Sequence, residues 1–184
     1  MGRGKGEKNK MINQIYNYLS PSLCERIIAY HKTSGHRDQG QKVSDFYGRA
    51  LYVPDIKDRY LKKELRLFEY RLLQLIHNLY KETVYPVHWD IVDWENGREM
   101  AVHNDDVKGM EERHYSAICY LNQGFSGGET YFPDHNNSFT PQTGKIIVFP
   151  SHYRHGVTKV NGITRYAMSY WATRDVNLPR RFSF

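Results

Sequence analysis

The chain has 184 residues and a net charge of +6, with 40% hydrophobic and 14% aromatic residues, 15 of them Tyr. That length supports one well-buried core and is too short for two comfortable domains, and the aromatic content excludes a disordered chain. No apolar run spans a bilayer, no apolar stretch follows the basic N-terminus as a secretion signal requires, and Cys24 and Cys119 alone cannot make a disulfide scaffold or a zinc site.

A reducing, cytoplasmic location is the expectation. The charge sits at the ends, with Arg3, Lys5, Lys8 and Lys10 against Glu7 at one and Arg180 and Arg181 at the other. The body between is close to neutral, which speaks against a phosphate-tracking groove and against nucleic acid as the partner. Residues 1–10 read as a flexible basic tail, and 11–184 as a single domain.

In chain order, Ser20-Pro21 and the Ser22-x-x-Glu25 pair predict a helix start, with Leu23, Ile27 and His31 on one face and Gly35 at the stop. The stretch from Gly35 to Tyr52 is polar and contains glycine, as a surface loop or a segment closing over a site would. From Asp58 to Tyr80 the positions Leu61, Leu65, Phe68, Leu72, Ile76 and Leu79 recur at helical spacing and predict a long amphipathic helix serving as scaffold. After Thr83 the pattern turns strand-like, rich in Val, Ile, Tyr and Trp and broken by Asn96-Gly97, Gly127-Gly128, Gly144 and Asn161-Gly162. Helical support over about 11–82 and a strand core over about 83–175 follow.

The chemistry concentrates in His103-Asn104-Asp105, His155 and Arg165. Side chains at i and i+2 of a strand share a face, so His103 and Asp105 can grip one ion while Asn104 points away. A third ligand from a distant strand suits a rolled-up sheet, and two imidazoles with one carboxylate leave half of an octahedral ferrous ion's positions open. Arg165, ten residues after His155, could cross a turn at Asn161-Gly162, return on the adjacent strand and clamp an organic acid. A His-x-Asp triplet is by itself weak: His88-Trp89-Asp90 is a second one, and His152 competes with His155 for the distal position.

From Trp94 to Trp171 the chain resembles the prolyl 4-hydroxylase-like branch of the 2-oxoglutarate- and iron(II)-dependent oxygenases. The resemblance rests on Gly97, His103-Asn104-Asp105, Arg113, the run Ser116-Ala117-Ile118-Cys119-Tyr120-Leu121-Asn122 and Gly127-Gly128-Glu129-Thr130-Tyr131-Phe132. It continues through Pro141, Gly144, Phe149-Pro150, His155-Gly156-Val157, Val160, Gly162, Arg165 and Trp171. It implies an α+β fold with a double-stranded β-helix (jelly-roll) core buttressed by N-terminal helices. It also implies that His103, Asp105 and His155 bind Fe(II), with His88, Asp90 and His152 outside the site. Arg165 then pairs with the distal carboxylate of 2-oxoglutarate, whose fork geometry a guanidinium matches. Tyr120 adds a hydroxyl there or packs its ring in the core.

Arg113 and Trp171 fall where related enzymes place a substrate-side arginine and tryptophan, although a solvated arginine and a core tryptophan are the plainer alternatives. Trp94, a third substrate-side candidate, stands where the family has a tyrosine lining the site, and Met100 replaces a common aromatic; both bear on the shape of the substrate pocket, while Lys159 replaces a frequent proline in a loop. The activity implied is hydroxylation of a prolyl residue in a peptide or protein, with succinate and carbon dioxide as co-products and ascorbate as a further candidate cofactor. The alternatives are the same chemistry on a free amino acid or other small metabolite, and a non-catalytic jelly-roll binding module. Repair of alkylated nucleic acid is disfavoured, because Trp171 occupies the position of the second arginine such enzymes carry.

Overall fold

The computed structural model describes residues 11–34, 49–107, 109–110 and 112–178. The basic tail 1–10, Gly35 with the segment up to 48, and Arg180 and Arg181 lie outside the described residues. Among the described residues two α-helices, α1 (Pro21–Thr33) and α2 (Arg59–Tyr80), accompany ten strands: β1 (Asn13–Ile15), β2 (Ala50–Tyr52), β3 (Tyr85–Trp94), β4 (Met100–His103), β5 (Tyr115–Tyr120), β6 (Thr130–Phe132), β7 (Asn137–Phe139), β8 (Ile146–Pro150), β9 (His155–Val157) and β10 (Arg165–Thr173).

The start of α1 is set by Ser20, whose hydroxyl accepts from the Leu23 amide at 3.3 Å, with Pro21 in the first turn. The Ser22/Glu25 pair therefore lies inside the helix rather than at its cap, and Cys24 joins Ile27 and His31 on the buried stripe. Asp58 caps α2 by accepting from the Tyr60 and Leu61 amides, each at 2.9 Å. The expected stripe of α2 is buried at Leu61, Leu65, Phe68, Leu72 and Ile76, with Leu79 packed at its margin. Among the described residues no helix is long and apolar enough to cross a membrane.

The strands form an antiparallel six-stranded sheet in the order β1-β8-β5-β10-β3-β2 and a four-stranded sheet in the order β4-β9-β6-β7. This is the double-stranded β-helix of an α+β fold. β1 and β2 come from the stretch expected to be only helical support; three-residue strands carry too short an alternation to stand out in a sequence. Successive side chains of a strand face opposite ways. On one face of the large sheet Trp89, Ile91, Ala117, Cys119, Val148, Met168 and Tyr170 pack under the helices. The residues between them, including Arg165, Ala167, Ser169 and Trp171 on β10, face the small sheet and line the interior.

Candidate functional site

His103 ends β4 and His155 begins β9, and the two are paired in the register of the small sheet. Direct cross-strand neighbours stand close, which brings the imidazole centroids to 4.4 Å. Asp105 lies past the end of β4, so it is turned inward by a bend rather than by strand alternation. Its amide donates to the Ser151 carbonyl at 2.9 Å. The ligating atoms of His103, Asp105 and His155 all lie within 4.8 Å of one another.

The protonation pattern is fixed by neighbours. The Nδ1 of His103 is 3.0 Å from the Ala101 carbonyl and that of His155 is 3.0 Å from the Tyr153 carbonyl. A carbonyl can only accept, so each Nδ1 carries the hydrogen and each Nε2 keeps a lone pair. The Nε2 atoms stand 3.7 and 3.8 Å from the two Asp105 oxygens, too far for hydrogen bonds. Burial pushes the Asp105 carboxyl up, but His103, the electrostatic influence of His155 and a bond from Ser116 outweigh it and hold it well below the usual carboxylate range. Burial pushes His155 down; at His103 the same burial is overcome by Asp105 and the Ala101 carbonyl, and the net direction is up. An ionised carboxylate beside imidazoles with free Nε2 lone pairs is the donor set a divalent cation needs.

Two serines that sequence reasoning did not assign complete this group. The Ser116 hydroxyl donates to Asp105 Oδ2 at 2.6 Å and lies 2.8 Å from the Ser151 hydroxyl, all three residues buried. The only sequence signal was a polar residue at an inward position of a strand that also carries Ile118 and Tyr120.

Arg165 is 1% exposed. Its Nε donates to the Gly128 carbonyl at 3.1 Å, and its Cζ lies 5.0 Å from the Trp94 ring centroid and 5.4 Å from that of Tyr120. Among the described residues no carboxylate pairs with it. Burial pushes its pKa down to about 10, which leaves it charged at neutral pH. A buried guanidinium with no anion is a costly arrangement that an entering carboxylate relieves. β10 lies in the large sheet and β9 in the small one, so Arg165 reaches this position by crossing between sheets rather than by returning on the adjacent strand.

The Gly127-Gly128 pair makes that approach possible. Both have positive φ, +70° and +69°; a Cβ on Gly127 would fall 1.9 Å from the Lys159 carbonyl, and one on Gly128 2.9 Å from Arg165 Cδ. Gly127→Ala should therefore destabilise the fold by about 2–4 kcal/mol, read as a lower denaturant midpoint at unchanged slope.

The Tyr120 hydroxyl is 2.8 Å from Thr130 Oγ1 and 3.3 Å from the Phe139 carbonyl, and burial pushes its pKa up to about 12. Trp94 is buried against Arg165, opposite it in the β3–β10 register and at the far end of β10 from Trp171. Arg113 stacks on Trp171 at 4.1 Å. His88 faces the same interior but its Nε2 bonds Asp90 at 2.7 Å, and its ring lies 4.9 Å from Tyr52 and 5.7 Å from Trp171. That pair is separate from the His103, Asp105 and His155 cluster, and His152 is exposed at the rim against Tyr153.

Residues 77–173 match the 2OG-Fe(II) oxygenase superfamily. The chain belongs to this superfamily. Fe(II) and 2-oxoglutarate are accordingly the groups such a site serves. The oxygenase is 33% identical over 102 residues to prolyl 3-hydroxylase 1 of Rattus norvegicus, a match covering 52% of this chain but only 14% of that relative's length. In solved structures its fold is similar to a viral collagen prolyl hydroxylase from Paramecium Bursaria Chlorella virus-1 in a 2OG complex, with TM-score 0.68, 15% identity and coverage of 91% and 97% of the two chains. A Trichoplax adhaerens prolyl hydroxylase in complex with a hypoxia inducible factor peptide fragment is similar at TM-score 0.70 and 16% identity, over 90% and 84%. At these identities the structural likenesses establish the fold.

Proposed function

We propose that this oxygenase hydroxylates a prolyl residue within a peptide or protein. In this reading His103 Nε2, His155 Nε2 and an Asp105 oxygen hold Fe(II), and Arg165 with Tyr120 holds the distal carboxylate of 2-oxoglutarate. Arg113 and Trp171 face the substrate. With iron and 2-oxoglutarate bound, one atom of dioxygen goes to succinate and the other to the hydroxylated product, and carbon dioxide is released.

The observation that carries the substrate assignment is the Arg113–Trp171 stack beside the metal cluster. Trp171 pairs across the strands with Ser116, the residue that bonds Asp105. An indole held flat by a guanidinium offers a rigid apolar platform to a pyrrolidine ring and a polar edge to a neighbouring carbonyl. The relatives named above act on prolyl groups, and one of them is captured with a peptide, which supports a polypeptide substrate over a free metabolite. Trp94, packed on Arg165, belongs in this reading to the cosubstrate end of the cavity.

The remaining residues hold and orient. Ser116 occupies Asp105 Oδ2, leaving Oδ1 for the metal, while Phe132 and Phe149 flank His155 at 5.6 and 4.8 Å and keep water from its ring. Ser116→Ala should weaken iron binding by about 10- to 100-fold, with Ser116→Thr close to wild type, measured by competition with a chromogenic chelator.

Both cysteines are free and buried, in keeping with a cytoplasmic, reducing location, and ascorbate is proposed as a supplementary reductant. The deciding experiment measures succinate from anaerobically iron-loaded protein with a proline-rich peptide pool, with free amino acids, and with neither. Peptide-stimulated turnover with one oxygen gained on proline is expected. Stimulation by free amino acids alone would transfer the activity to small metabolites, and no turnover with iron verified as bound would end the enzyme reading.

A further inference from the structure

Next to Tyr120 lies an open pocket of about 530 Å³ that the chemistry above leaves unused. Its wall includes Gln14, Tyr16, Gln123, Ser138, Thr140 and Lys145, and no residue lining it is acidic. Lys145 is only 4% exposed. Two residues before the inward-facing Ile147, it turns the same way, and its Nζ lies 5.4 Å from the Tyr120 ring centroid and 5.6 Å from that of Tyr16. The ammonium donates to the Thr140 carbonyl. Among the described residues no carboxylate pairs with it, and burial pushes its pKa down.

An ammonium has three donors, and an apolar side chain at this position would avoid the desolvation of a charge. A buried cation in a wall of amides and hydroxyls, open to solvent and free of acids, has the composition of an anion site. We propose that this pocket binds a small oxyanion, carboxylate or phosphate, at Lys145, as a site separate from the one at Arg165. The Tyr120 ring centroid lies 5.4 Å from both Arg165 Cζ and Lys145 Nζ, so the two anions would flank one buried tyrosine. The inference does not depend on assigning Arg165 to 2-oxoglutarate.

The test follows the backbone amide resonances of Thr140, Gln142 and Lys145 in the iron-free full chain, titrated separately with inorganic phosphate and with succinate. Wild type and Arg165→Met should show saturable shifts there with at least one of the two anions, which also identifies the class bound. Lys145→Met should show binding weaker by at least about tenfold, as expected for loss of a charge-assisted contact. Lys145→Gln serves as a second variant if the first is poorly folded. Absence of shifts in wild type, or shifts undiminished in both lysine variants, would overturn the proposal. Shifts lost in Arg165→Met as well would merge the pocket with the cosubstrate site and overturn its separateness. Shifts lost only in the lysine variants, with cosubstrate affinity untouched in Arg165→Met, would leave the pocket standing while the Arg165 assignment fell.

Discussion

Asp105→Asn should give a folded protein that no longer retains iron and makes no succinate above background. The amide keeps the volume of the carboxylate and can still accept from Ser116, so the buried Ser151–Ser116–Asp105 chain stays satisfied and the melting temperature of the iron-free protein changes little. What is lost is the one negative charge between the two imidazoles, without which a divalent ion meets only neutral donors. Asp105→Ala should abolish turnover too, with a further stability cost of about 1–3 kcal/mol because the Ser116 hydroxyl is left unpaired in the interior. His88→Ala and His152→Ala should keep iron. Metal content after anaerobic desalting measures all four; an Asp105→Asn protein with a full complement of iron would remove the carboxylate from its role.

Arg165→Met should weaken 2-oxoglutarate binding by about 2–5 kcal/mol, on the order of 30- to several-thousand-fold, with iron binding retained. The same change should leave the ligand-free protein melting no lower than wild type. A buried guanidinium with no carboxylate partner among the described residues bears its desolvation cost uncompensated, and an unbranched apolar side chain of similar length removes that cost while keeping contact with Trp94 and Tyr120. Arg165→Lys should fall between, keeping a charge but losing the planar fork. Isothermal titration with 2-oxoglutarate in the presence of a redox-inert divalent ion gives the affinities. An unchanged affinity in Arg165→Met would dismiss the residue as the anion anchor.

Both results depend on the balance between charge and burial, which differs between the two residues. Asp105 has a serine hydroxyl and two imidazoles that hold it ionised; Arg165 has aromatic faces and a single carbonyl. The first is organised to keep a charge in place before the metal arrives, the second to receive one.

The sequence alone carried the amphipathic period of α2, the Asp58 boundary and the change to strand patterning after Thr83, because these are local and repeat over many residues. The landmarks from Trp94 to Trp171 carried the family. What it left ambiguous were features decided by contact across the chain. His88-Trp89-Asp90 has the same spacing as His103-Asn104-Asp105, so spacing alone left the triplet open and the family landmarks chose His103; in the structure the pairing of β4 with β9 sets His103 against His155 while His88 turns to Asp90. Ser116 and Ser151 are separated by 35 positions and meet only because β5 and β8 are neighbours. β1 and β2, three residues each, had no period long enough to read and gained strand structure from the sheet edges they complete. Lys145 carried no sequence signal at all, since a lysine after a glycine reads as surface until the fold buries it. Local periodicity and motif identity, including the choice between the two triplets, were thus legible in the residues in order; which hydroxyl fixes the carboxylate and which buried cations have no carboxylate beside them among the described residues were decided by long-range strand pairing.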